Sequence, residues 1–168
     1  GFGNHEVRPM LAIHLNHDSF PNDPTVIAHA IADELKTVQF DVLLFGKKGV
    51  DDDNQQVGQM VAELLNVPCV TQVAKLEISD GKAVAHREIE GGSLIVETTL
   101  PAVFTGEKDL AIPRYASLRE LVAARKKPIT VKEPRVSKSV LETVSIRYPP
   151  PRPPGRIIGK GVESVPVL

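Results

Sequence analysis

The clearest pattern along the chain lies between residues 57 and 65, where Val57, Met60, Val61, Leu64 and Leu65 stand at i, i+3, i+4, i+7 and i+8. That spacing predicts a helix with one apolar face, starting near Asn54. Just upstream, Val42, Leu43, Leu44 and Phe45 form an unbroken apolar run that stops at Gly46. Such a run is the mark of a strand buried on both faces in a parallel sheet. An earlier pair has the same form. Leu11 to Leu15 reads as a strand, and Asp23-Pro24 reads as a helix start, with Asp23 as cap and Pro24 in the first turn. Val26, Ile27, Ala30, Ile31 and Leu35 follow at helical spacing, with Glu34 as a charged interruption. Strand, helix, strand, helix predicts βαβ units in an α/β sheet.

After Pro68 the rhythm shortens. Residues 69–79, 83–89, 93–99 and 102–105 are β-like runs, and Asp80-Gly81 and Gly91-Gly92 supply turns, so this part reads as hairpins. Ser117 to Arg125 predicts a short helix, and Ile129 with Val131 another strand. Tyr148 to Gly155 is too rich in proline for helix or central strand and predicts an extended arm. Beyond it Ile157, Ile158, Val162, Val165, Val167 and Leu168 lack a core pattern of their own, so the arm is expected to pack on a partner. The expected organisation is an α/β domain over 1–147 and an arm over 148–168. Within the domain, a hairpin insertion covers about 70–105 and a docking loop about 106–127. Two or three parallel-type strands are few for a free-standing doubly wound sheet. Either a longer chain or a partner is expected to complete the core.

Composition narrows the partners. Twenty Lys and Arg against 21 Asp and Glu give a formal net charge of −1, which favours neither nucleic acid nor an anionic membrane. No apolar run approaches the roughly 20 residues of a membrane span. The first residues carry neither a signal-peptide core nor a transit pattern. The single cysteine, Cys69, sits in an apolar setting as a structural thiol, which fits a reducing compartment. A bacterial cytoplasm, or a mitochondrial matrix in a eukaryote, is the expected location.

Candidate chemistry is concentrated between Phe45 and Gly58. A strand, a glycine- and carboxylate-containing loop and a helix N-terminus together aim backbone N–H groups and the helix dipole at an anion. Free N–H groups around Asn54 to Val57 suit a phosphate, and Gln55 and Gln56 add amide donors. Asp51, Asp52 and Asp53 cannot all face a phosphate, because like charges repel; a carboxylate here can instead accept from a ribose hydroxyl or an adenine amino group. A solvated acidic loop that caps the helix is the alternative. His5, His14, His17, His29 and His86 lack ligand spacing, so no metal site is expected. No serine has a nucleophile context, and no catalytic residue is expected.

The stretch Gly46-Lys47-Lys48-Gly49-Val50-Asp51-Asp52-Asp53-Asn54-Gln55-Gln56-Val57-Gly58-Gln59 resembles the nucleotide loop of the β subunit of electron transfer flavoproteins, G-K-Q-A-I-D-D-D-x-N-Q-T-G-Q. Gln55 and Val57 depart from it. Arg87-Glu88-Ile89-Glu90-Gly91-Gly92 and Leu100-Pro101-Ala102-Val103-Phe104-Thr105 resemble R-E-I-D-G-G and L-P-A-V-V-T of the same family. Leu94 stands where the family has a carboxylate. Pro113-Arg114-Tyr115-Ala116-Ser117-Leu118, a basic helix end at Arg125-Lys126-Lys127 and the proline-dense tail complete the order. Members also carry a longer N-terminal βαβ portion, which residues 1–20 do not supply.

The resemblance implies a Rossmann-like fold of the adenine nucleotide alpha hydrolase type: a parallel sheet with helices on both faces, plus the hairpin extension and the arm. It implies a heterodimer with an α subunit that carries most of the FAD, and AMP held by Gly46, Lys47, Asp51, Asp53, Asn54, Gln55, Gln56 and Val57. A flavoprotein dehydrogenase, such as an acyl-CoA dehydrogenase, would dock through Leu110, Ile112, Arg114 and Tyr115, with Leu110 as an exposed anchor. A quinone oxidoreductase would be the acceptor. In the electron-bifurcating branch the same site holds a second FAD, which accepts electrons from NADH. Asp52 favours AMP, and Val57 leans toward that branch. A nucleotide-binding module without redox function is a further alternative.

Overall fold

The computed structural model describes residues 12–18, 22–113, 115–155, 157–159, 161–162 and 165. Leu11, Arg114, Val167 and Leu168, singled out above, lie outside them. In chain order the elements are β1 (Ala12–Leu15), α1 (Pro24–Leu35), β2 (Val42–Gly46), α2 (Val57–Leu65), β3 (Cys69–Ser79), β4 (Lys82–Ile89), β5 (Gly92–Thr99), β6 (Ala102–Gly106), a 3-10 turn (Lys108–Leu110), α3 (Leu118–Ala124) and β7 (Ile129–Lys132). The result is an α/β fold, as the alternating pattern predicts. Among the described residues no helix is long and apolar enough to cross a membrane.

The main sheet has the order β2-β6-β3-β4-β5. β6 runs parallel to β2 on one side and to β3 on the other. Residues 102–105 are therefore not a hairpin strand, which corrects the sequence expectation. The physical reason is burial: Ala102, Val103 and Phe104 are completely inaccessible to solvent, and an apolar strand of this kind needs a neighbour at each edge to satisfy its backbone. β4 and β5 continue the same sheet antiparallel, so the sheet is mixed and the hairpins lengthen it. Asp80 and Gly81, both at positive φ (50° and 73°), make the tight turn between β3 and β4. β1 pairs in parallel with β7 in a separate two-stranded sheet.

Alternation along β6 divides the core. Ala102 and Phe104 join Val70, Val73, Ala83 and Ala85 in one cluster. On the other face Thr105 meets α2, and α2 packs on α1 through Ala28, Ala32 and Val61. Alanines four apart on α1 let the two helices approach closely. Glu34, the charged interruption of the α1 stripe, serves the fold directly. Its carboxylate receives the Lys132 ammonium at 2.5 Å and ties α1 to β7. Asn66 in the left-handed region closes α2, and Pro68 follows.

From Glu133 to Gly155 no helix or strand occurs, so the extended course begins well before the proline run. Val140, Val144, Ile146 and Tyr148 are largely exposed there.

Asp23 is the one wholly buried carboxylate among the described residues. One oxygen accepts the Thr25 N–H at 2.9 Å and so caps α1. The other accepts the Ser139 hydroxyl at 2.8 Å and the Val140 N–H at 3.0 Å. Burial pushes its pKa up, but the hydrogen bonds from Ser139, Thr25 and Val140 outweigh burial and hold it at about 2. A folded-state pKa below the unfolded value means that the stabilisation is complete above about pH 4 and is lost as pH falls toward 2. Thermal unfolding measured from pH 7 to 2 should show Asp23→Asn less stable than the parent at neutral pH, with the two curves converging near pH 2. A constant gap across that range would contradict the assignment.

Candidate functional site

The carboxyl ends of β2 and β6 lie side by side, with Gly46 paired to Gly106. A crevice outside the carboxyl ends of parallel strands is where open α/β sheets bind ligands. A cleft of about 180 Å³ opens there, smaller than the roughly 300–1,000 Å³ of a complete ligand pocket. Of the residues expected from the sequence, Gly46, Lys47, Asp51, Asn54, Gln55, Gln56 and Val57 line it. Asp53 does not. It is exposed, and its carboxylate pairs with Lys48 at the loop surface. Asp52, Gly58 and Pro24 of α1 also line the cleft.

Local chemistry explains the loop's course. Asp52 accepts the Asn54 N–H at 3.2 Å and the Asn54 side-chain amide at 3.0 Å, closing a turn. Asp53 and Gln55 both take left-handed φ values of 59° and 54°. For glutamine that conformation costs on the order of 1–2 kcal/mol, and Gln55 is held in it by Gln72, whose side-chain amide donates to it at 3.3 Å. Gln72 is itself left-handed, at φ 58°. It occupies an irregularity in β3 beside the end of β6, and its N–H donates to Thr105 Oγ1 at 3.0 Å. Three non-glycine residues in the left-handed region around one cleft are the kind of strain that collects at functional sites.

Helix α2 begins at Val57 rather than near Asn54, and no side chain caps it. The contrast with α1, capped by Asp23, leaves the α2 N-terminus as the cleft's donor wall. Gly58 sets how closely this wall approaches the sheet: a Cβ there would lie 2.9 Å from Thr105 Cγ2 and 3.3 Å from Phe45 Cβ. Lys47 is fixed from two directions. Its N–H donates to Gly106 O at 3.1 Å and its ammonium meets Glu107 at 2.5 Å. Sequence reasoning misses Gln72, Thr105, Glu107 and Pro24 as parts of this site. They arrive through sheet order and helix packing, which carry no local motif.

The expected docking residues are placed differently from one another. Leu110, the anchor implied by the resemblance, does not stand exposed here. It is half-buried, packs on the Phe104 cluster, and its Cδ2 lies 2.7 Å from where a Gly106 Cβ would stand. The absence of a side chain at Gly106 is what admits it. Ile112 and Tyr115 are fully exposed, at 93% and 102%. Leu118, Leu121 and Val122 of α3 are exposed as well.

A family model described as the electron transfer flavoprotein domain matches residues 11–137. The chain is 32% identical to the electron transfer flavoprotein subunit beta of Bacillus subtilis over 153 residues, 87% of this chain and 60% of that protein. It is 35% identical to the mitochondrial electron transfer flavoprotein subunit beta of Oryza sativa subsp. japonica over 162 residues, 92% of this chain and 64% of that protein. A shorter match, 38% over 96 residues, joins 57% of this chain to 37% of the caffeyl-CoA reductase-Etf complex subunit CarD of Acetobacterium woodii. The chain thus spans about three fifths of the length of the first two relatives. It belongs to the electron transfer flavoprotein family, on the β-subunit side.

Gly58→Ala tests the packing that builds the cleft wall. The added methyl meets the methyl of buried Thr105, and overpacking of this kind costs about 1–3 kcal/mol. A denaturant midpoint unchanged from the parent would contradict it.

Proposed function

We propose that this member of the electron transfer flavoprotein family binds AMP in the cleft between β2, β6 and α2, and serves as the β subunit of a flavoprotein heterodimer. The observation that carries the reading is the uncapped N-terminus of α2 facing a cleft at the carboxyl ends of two parallel strands. The phosphate would receive N–H groups of the first turn of α2, where the dipole also favours negative charge. Asp51 and Asp52, which line the cleft, would accept from the ribose hydroxyls. The extended segment after Glu133 and the exposed apolar side chains along it, Val140, Val144, Ile146 and Tyr148, support a partner subunit, here the FAD-bearing α chain.

Electrons would then pass between the flavins of a docked dehydrogenase and the α subunit, and onward to an acceptor such as a quinone oxidoreductase. The chain would act as an electron-carrier subunit, with no catalytic residue of its own. The loop after β6 is the proposed dehydrogenase contact. Ile112 and Tyr115 stand free there, and Leu110 would have to leave its seat over Gly106 to serve as an anchor. A second reading, FAD in the β2–β6 cleft, is favoured by Val57, the departure that leans toward the electron-bifurcating branch. Release of AMP with one FAD per heterodimer on denaturation supports the first reading; two FAD per heterodimer would replace it by the second.

Calorimetric titration with AMP should separate the acidic residues. Asp51→Asn is expected to weaken binding about tenfold or more, and Asp53→Asn, whose carboxylate pairs with Lys48 and does not line the cleft, by less than threefold. Equal losses would return the acidic run to the role of a general charge. For docking, Tyr115→Ala should slow electron transfer from the dehydrogenase without changing the unfolding midpoint. Leu110→Ala should slow it and also cost about 2 kcal/mol of stability. An unchanged midpoint for Leu110→Ala would contradict its seating on the core.

A further inference from the structure

Asp23 faces two parts of the molecule at once. Oδ1 holds the first turn of α1 through the Thr25 N–H. Oδ2 holds Ser139 and Val140, 116 and 117 residues away in sequence. Ser139 Oγ in turn accepts the Leu141 N–H at 3.1 Å, so the extended segment is folded into a small turn around the carboxylate. From Val140 to Gly155 every residue is exposed, which makes this turn the last seat of the segment before it leaves the body of the protein. On the other side, Pro24 directly follows Asp23 and forms part of the cleft wall. The carboxylate is completely buried and is satisfied by uncharged donors, an arrangement that tolerates little displacement of any one of them.

We infer that Asp23 is a latch coupling the cleft to the C-terminal segment: a ligand seated against Pro24 steadies the first turn of α1, and the same carboxylate thereby fixes the place where residues 139–141 are held. Asp23 acts here as a positioning residue and touches no ligand. The ligand part of the inference rests on the nucleotide reading of the cleft. Coupling of this kind is reciprocal, so seating the segment on a partner tightens nucleotide binding by the same factor. The physical chain is short and contiguous, from cleft to Pro24 to Asp23 to the Val140 N–H.

Hydrogen exchange on the full chain, with and without saturating AMP, tests it when paired with calorimetric titration of AMP. In the parent protein the peptide covering 138–142 is expected to exchange slowly, and several-fold more slowly with AMP. Asp23→Asn should exchange fast there and lose the response to AMP. Ser139→Ala leaves the Thr25 cap in place, so it should free 138–142 while leaving exchange in α1 unchanged; Ser139→Thr should restore protection. Unchanged exchange at 138–142 in both Asp23→Asn and Ser139→Ala would overturn the latch. AMP binding by calorimetry without any change at 138–142 would overturn the coupling alone. Absence of AMP binding would overturn the coupling together with the nucleotide reading, leaving the latch to be decided by the AMP-free comparison.

Discussion

Everything in this fold depends on the seating of β6 between β2 and β3. Ala102, Val103 and Phe104 have no solvent contact, and parallel pairing on both edges satisfies their backbone groups. The chain makes its hairpin excursion through β3, β4 and β5 before β6 enters, so the centre of the sheet is completed late in the sequence. Once it is in place, the ends of β2 and β6 are neighbours, and the loops that follow them share one space. Lys47 is fixed to Gly106 and Glu107, and Thr105 holds Gln72, which holds Gln55. The cleft is a consequence of strand order.

The elements legible in the sequence are those whose signal is local. The stripe from Val57 to Leu65, the run from Val42 to Phe45 and the Asp23-Pro24 helix start all depend on neighbouring residues within one or two turns. The expected burial of the Val42–Phe45 run on both faces fails, because β2 is an edge strand and Leu44 is 63% exposed. The position of β6 is not legible, because the short apolar run Ala102-Val103-Phe104 states that it is buried and not which strands bury it. Leu110 is misread for a related reason: an isolated leucine in a polar loop looks exposed until Gly106 is seen to leave room for it. The nucleotide loop is legible as a resemblance, yet its geometry distinguishes Asp51, in the cleft wall, from Asp53, paired with Lys48. Gln72 carries no motif and owes its place to the irregularity in β3. Asp23 is legible as a cap, but the second half of its role comes from residues more than a hundred positions away.

The same physics separates two kinds of surface. Around the cleft, donors and carboxylates are fixed by hydrogen bonds and ion pairs and by strained backbone that its neighbours hold in place. Along α3 and the segment after Glu133, apolar side chains stand in solvent without such support. The first would suit a small polar ligand without rearrangement; the second would gain stability by burial against another chain, as the proposed function requires. The proposed role, a β subunit that would hold a nucleotide and rely on its partner for the flavin, fits this division. It also accounts for a cleft too small to enclose a whole nucleotide unaided.

The central claim is that the α2 N-terminus is the wall of a nucleotide site. Backbone amide chemical shifts recorded during an AMP titration address it directly. Saturable shifts are predicted to centre on Gln56, Val57 and Gly58 and to extend to Gln72 through its bond with Gln55. Shifts confined to the separate cleft at the ends of β1 and β7, around Asn16 and Lys132, or no saturable shifts at all, would contradict it.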